Sequence, residues 1–213
     1  MAVVQFKQMH TASELLQHKQ VADPQLTHAE LSGRISEFSA HGPSTLLTMG
    51  VGLVLDAQYK GEPVAWVMLG EDTFFPPDLF SAGVDLEALA VVRAPNSVDC
   101  FKAATRLAHS GAFGLIVIDL SQDAQSFVHR ALTALLSRLV GLSQTHDLAV
   151  VILTTKSPEE ASLDSLISLR GEARRGESLG GGRFSGQLEI TKDKRRGPYW
   201  KHRNQYLGPP GIW

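Results

Sequence analysis

The residues with the clearest chemical potential are Gly42, Pro43, Ser44 and Thr45, within the stretch "GRISEFSAHGPSTLLTM". A strand, a tight turn and a helix in that order can cradle a phosphate. Glycines let backbone N–H groups converge on an anion, and the helix adds its positive end. In a working phosphate loop a lysine then reaches the outer phosphates, and a Ser or Thr holds magnesium. Pro43 stands where that lysine would be. It offers neither charge nor N–H, and no second glycine lies upstream at the required spacing. Ser44 and Thr45 remain as magnesium-ligand types, although helix capping is the commoner use of such residues. Two carboxylates could join them. Asp119 ends the apolar run "FGLIVIDL", where it could hold magnesium or simply cap the next turn. Glu71 follows "VAWVMLG", where it could orient a water as general base or be an ordinary polar residue after a strand.

The elements that must position these groups follow from hydrophobic periodicity. "GRISEF", "PVAWVMLG", "LEALAVVRAP", "FGLIVIDL" and "LAVVILTT" read as strands. The helices are "STLLTMGVGLVLDAQYK", "PPDLFSAGVD", "SVDCFKAATRLAHSG" and "QSFVHRALTALLSRLVGLSQTHD". Gly111 should stop the third of these. Continuous apolar strands separated by helices imply βαβ units and a mostly parallel sheet. After Thr155 the pattern changes to alternation, in "DSLISLRGEARRG" and "FSGQLEITKDKRRGPYWKHRNQY". That predicts antiparallel edge strands joined through a flexible "GESLGGGR", with the glycine triplet as a hairpin turn. The expected fold is α/β: a mostly parallel twisted sheet flanked by helices, with antiparallel edge strands at the C-terminal end. The expected organisation is an arm over residues 1–31 with a helix near residues 11–19, a core over 32–206, and an extended tail over 207–213.

Charge is unevenly spread. Residues 1–169 hold 10 Lys+Arg against 18 Asp+Glu, a net of −8; residues 170–213 hold 10 against 4, a net of +6. The basic end carries Lys192, Lys194, Arg195, Arg196, Lys201 and Arg203, interleaved with Tyr199, Trp200 and Tyr206. Cations with aromatics suit single-stranded nucleic acid. They also suit a protein-docking surface, or a solvated turn with aromatics packed on the sheet. The single cysteine, Cys100, rules out an intrachain disulfide and reads as a small core residue. The eight histidines, among them His10, His18, His28 and His41, show no metal-ligand spacing. No apolar run reaches the ~18 residues of a membrane span, and the N-terminus lacks a signal peptide's apolar centre, so the expected location is cytoplasmic.

Taken in order, these segments resemble the core of the RecA recombinase over most of residues 30–205. "GRISEF" is similar to the strand entering the phosphate loop. "GED" followed by "AGVDLEAL" resembles the segment carrying the catalytic glutamate, aligned with Glu71. "RLAHSGAFGLIVIDL" resembles the helix, turn and strand leading to the magnesium-site aspartate, aligned with Asp119. "ISLRGEARR" resembles a later strand with paired arginines, here Arg174 and Arg175, and "LEITKDKRRGPY" is similar to the last core strand with its lysine-rich turn. The departures are equally specific. The phosphate loop is short and lacks its lysine. The two segments matching the DNA-gripping loops are cut back: almost nothing separates Asp119 from a helix starting near Gln125. The other retains only "KSPEEASLD", which is too acidic to attract phosphate.

A RecA-like chain of this size without a working phosphate loop resembles the ImuA family, with the SulA-type cell-division inhibitors as a related alternative. The resemblance implies a non-catalytic accessory factor in bacterial DNA damage response and translesion synthesis, with no cofactor. The implied partners are RecA and a polymerase-like protein, ImuB. Inhibition of RecA filaments is one implied mechanism. Two other readings stay open from the residues: a single-stranded DNA-binding module using the basic end, and a weak residual NTPase using Ser44, Thr45, Glu71 and Asp119.

Overall fold

The computed structural model describes residues 25–70, 74–122, 129–157 and 159–208. Within these residues eight strands form one sheet: β1 (Arg34–Ala40), β2 (Val64–Leu69), β3 (Leu89–Ala94), β4 (Leu115–Leu120), β5 (Ala149–Thr155), β6 (Leu169–Gly180), β7 (Arg183–Asp193) and β8 (Lys201–Leu207). Their spatial order is β3-β2-β4-β5-β1-β6-β7-β8. All pairings from β3 to β6 are parallel, and β6–β7 and β7–β8 are antiparallel. This is the α/β architecture that the change of pattern after Thr155 predicts. β4 is buried along its whole length and β5 up to its last residue, as continuous apolar strands under two helical layers must be.

The helices are α1 (His28–Leu31), α2 (Leu46–Tyr59), α3 (Pro76–Ser81), α4 (Ser97–Ser110) and α5, described over His129–His146. The chain moves from β1 toward the β3 margin, then back through β4 and β5. Right-handed crossovers in opposite directions place their helices on opposite faces. One hydrophobic layer accordingly joins α2 to Phe38, Trp66, Val117 and Leu153; the other joins α4 and α5 to Ile35, Val67, Ile118 and Ile152. Gly50 lets α2 lie close to the sheet, since a Cβ there would sit 3.0 Å from the Trp66 ring. The ends of α4 follow local rules. Asn96 Oδ1 accepts from Asp99 N at 2.9 Å, and Gly111 closes the helix at φ 66°. Cys100 is fully buried in α4.

The C-terminal region differs in detail from the expectation. "GESLGGGR" is not a flexible joint: β6 runs through Gly180, and only the turn remains to glycines 180–182, all at positive φ. The reason is pairing with β7, reinforced by the Arg175 guanidinium 4.4 Å above the Phe184 ring. The long alternating segment that follows is two strands, β7 and β8. β1 reaches only to Ser39↔Glu172 on β6, and beyond the buried Ala173 residues 174–180 project past the core with β7 as their sheet partner.

β1 sits between β5 and β6 and is buried at every position, although it reads "RISEFSA". Its charges are met by distant residues. Arg34 Nη2 reaches Asp193 Oδ1 at 2.6 Å, both side chains out of solvent. Glu37 Oε1 meets Lys156 Nζ at 3.1 Å and accepts from Thr154, while its Oε2 accepts from Leu163 N at 2.9 Å. The described residues between β5 and β6, from 156 to 168, cross this face without a helix, and Leu163 and Ile167 complete the apolar layer.

Residues 25–31, the last of the expected arm, pack into the core through Leu26 and Leu31; the helix expected near 11–19 lies outside the described residues. His202 Nδ1 accepts from Leu26 N at 3.2 Å, and Asp56 accepts from His28 N at 2.6 Å. Burial holds the His202 imidazole below the ordinary histidine pKa. The unfolded chain therefore binds the proton first, so stability should be constant above about pH 6.5 and fall as pH drops through the folded value. His202→Gln should flatten that fall in a denaturation series between pH 7 and 5; an unchanged slope would count against this role.

Candidate functional site

Open α/β sheets bind ligands outside the carboxyl ends of their strands, where the chain direction across the sheet switches. Gly42, Pro43, Ser44 and Thr45 lie there, between β1 and α2. Gly42 takes φ 74°, a value glycine tolerates. Asp119 lies at the same end on β4, on the α2 side of the sheet and separated from β1 by β5. That gap is about 10 Å. The structure thus brings the expected turn and the expected carboxylate to one end of the sheet. Glu71 and Gln125 lie outside the described residues.

The side chains in that crevice are committed elsewhere. Thr45 occupies the N-cap position of α2, but its side chain makes no cap. Fully buried, its Oγ1 donates to the Arg174 carbonyl on β6 at 3.3 Å. The expected capping role therefore needs correction for Thr45: the neighbouring strand's outward carbonyl competes for the hydroxyl and wins. Ser44 Oγ accepts from Leu46 N at 3.4 Å, a long contact. Asp119 Oδ1 accepts from Ser121 N at 3.1 Å and from Ser121 Oγ at 2.7 Å, so it caps the turn after β4. Pro43 is exposed and contributes nothing to hold an anion. Arg174 forks onto the Glu172 carboxylate with two contacts of 3.2 Å. Among the described residues no group of three His, Cys, Asp or Glu is arranged to hold a metal.

The basic segment lies at the other end of the sheet. β7 runs antiparallel to β6 and finishes with Asp193 opposite Leu169, so the β7–β8 turn falls beside the start of β1. Its cations are largely engaged by the protein. Arg195 donates to the Ser32 carbonyl at 2.9 Å, and Arg196 pairs with Glu30 at 2.6 Å. Lys201 pairs with Glu189 at 3.2 Å, and Arg203 donates to Gln187 Oε1 at 3.2 Å. Lys192 and Lys194 both reach the Ser165 carbonyl, at 3.4 and 2.7 Å. Burial, then repulsion from Lys194, holds the Lys192 ammonium below the ordinary lysine value. Trp200 Nε1 donates to Asp193 Oδ2 at 3.1 Å, and the ring packs on the core. Tyr199 alone of these aromatics projects, 82% exposed and at φ 74°. A bulky residue in that region is a backbone outlier. It sits in a bulge where Tyr199 N donates to the Ile190 carbonyl while Ile190 N donates to the Trp200 carbonyl.

Two residues central to this arrangement, Asp193 and Glu37, are not among the expected site residues. Each stands in an ordinary alternating strand, and no local signal marks it. With the geometry in view, the chain matches no protein-family model and no curated protein. Among the described residues no helix is long and apolar enough to cross a membrane.

Proposed function

We propose that this chain is a catalytically inactive, RecA-like accessory protein of the ImuA type, acting in bacterial DNA damage response and translesion synthesis. It works by docking to RecA and to a polymerase-like partner. One observation carries the reading. Ser44, which follows Pro43 where a working loop would offer its magnesium hydroxyl, accepts instead from Leu46 N, and the next hydroxyl, Thr45, is buried and spent on a backbone carbonyl of β6. With proline in place of the lysine, the crevice lacks the point charge that outer phosphates require. The loop matching a DNA-gripping segment is pinned over β1 by Glu37, and the basic turn satisfies itself internally. A chain that keeps the sheet and gives up the ligand chemistry is suited to presenting a shape. RecA filaments repeat one head-to-tail contact, so a look-alike offering half of that contact can stop their growth.

Two measurements on the purified protein test this. Calorimetry with magnesium and a non-hydrolysable ATP analogue should show no saturable heat. Added to RecA at equimolar amounts, the protein should slow strand exchange. Micromolar nucleotide binding, or full strand exchange in its excess, would overturn the proposal.

A further inference from the structure

The face of the sheet beside β3 combines exposed apolar side chains with carboxylates that form no ion pair among the described residues. Among the described residues β3 is a margin strand and pairs only with β2. α3 buries none of its residues, and Phe80 on it is 72% exposed. Phe75, Leu86 and Val91 are exposed as well. Val91 pairs in register with Trp66, whose ring meets Phe74 at 6.4 Å between centroids. The segment after α3 is tied to α2 through Gln58, which exchanges two hydrogen bonds with the Asp85 backbone. These contacts place the exposed groups on the α2 side of one margin. Isolated exposed apolar residues need no explanation, but several gathered at one margin mark an interaction site.

The charges say what kind of partner fits. Residues 74–92 contain Asp78, Asp85 and Glu87 and no Lys, Arg or His. All three acids are exposed, and no ion pair is made to them among the described residues. Arg93, the nearest cation in sequence, turns to the Gly70 carbonyl. A rim of acids without counter-ions steers positive segments in and rejects acidic ones. We propose that this margin docks a basic segment of another protein carrying bulky apolar anchors, with Phe80 and Val91 as the contacts at its centre. The proposal rests on reading the chain as a docking body, and adds where the docking occurs and with what chemistry.

The test uses the full chain and two labelled amphipathic peptides, one of leucine and lysine, the other of leucine and glutamate, followed by fluorescence anisotropy. The lysine peptide should bind saturably and the glutamate peptide should not. Phe80→Ser should weaken binding about tenfold, and Val91→Thr, at the same margin but on the strand, should act in the same direction. Glu87→Gln should reduce the on-rate and its salt dependence. Unchanged thermal midpoints would show that the variants fold. Equal binding of both peptides, or binding indifferent to Phe80→Ser and Val91→Thr, overturns the proposal. So does sedimentation showing self-association that Phe80→Ser abolishes, which would assign the margin to a second copy of this chain. Because neither RecA nor nucleotide enters the assay, its failure leaves the accessory-protein reading to stand or fall on its own measurements.

Discussion

Asp193→Ala should lower the unfolding free energy by about 3–5 kcal/mol, read as a fall in the urea midpoint at constant slope. Asp193 accepts from Arg34 Nη2 at 2.6 Å, Arg195 N at 2.8 Å and Trp200 Nε1 at 3.1 Å. It therefore joins the start of β1, the end of β7, the following turn and the approach to β8. Truncation leaves the Arg34 guanidinium buried with only the Ser168 hydroxyl and carbonyl as acceptors. Most of the loss comes from that stranded charge, so Arg34→Met combined with Asp193→Leu should recover most of it. A loss below about 1 kcal/mol for Asp193→Ala would place the pair among weak surface bridges and refute this account. The pH dependence has a fixed sign. Burial raises the Asp193 pKa, but the Arg195 backbone N–H, the Arg34 guanidinium by hydrogen bond and charge, and the Trp200 N–H outweigh it and hold it below the ordinary aspartate value. The contribution is thus complete above about pH 4 and disappears as pH falls through the folded value.

Glu37→Ala should be of similar size, about 3–5 kcal/mol, because it strands a cation and two donors at once. The Glu37 carboxylate has no exposure and Lys156 only 12%. Lys156 would keep only the Ala161 carbonyl, and Leu163 N would lose its acceptor. The effect should also be local. Residues 156–163 should become protease-sensitive, and the Leu163 amide should exchange faster than the amides of β4 and β5. Glu37→Gln keeps the shape and one acceptor and should cost less, about 1–3 kcal/mol. A destabilised variant in which Leu163 stays as protected as in the parent would show that Glu37 does not hold the connection down.

What could be read from the chain beforehand, and what could not, divides by distance along it. β4 and β5 announce themselves because strands covered on both faces must be apolar throughout. Gly111 and the glycine triplet announce themselves because positive φ is a local demand. β1 does not: "RISEFSA" looks half-solvated, yet it is central, and the partners that neutralise its charges, Lys156 and Asp193, lie far along the chain. The candidate site divides in the same way. A strand–turn–helix locates Gly42, Pro43, Ser44 and Thr45, and an apolar run ending in Asp119 locates the carboxylate. The fate of the Thr45 hydroxyl depends on a carbonyl 129 residues later, beyond the reach of any local pattern. Composition marks the basic end correctly, but the ties from Arg195 and Arg196 to residues 30 and 32 appear only once the chain has closed on itself.

The order of the strands sets a length. Eight neighbours in one sheet hold the β3 and β8 margins about 34 Å apart. Two macromolecules gripping opposite margins would not collide, and a rigid spacer between them would fix their mutual orientation. Each would then meet the other at a local concentration set by that span rather than by diffusion through the cell. On such a scaffold, if the proposed docking role holds, the sheet would act as a brace of fixed width between the two bound partners.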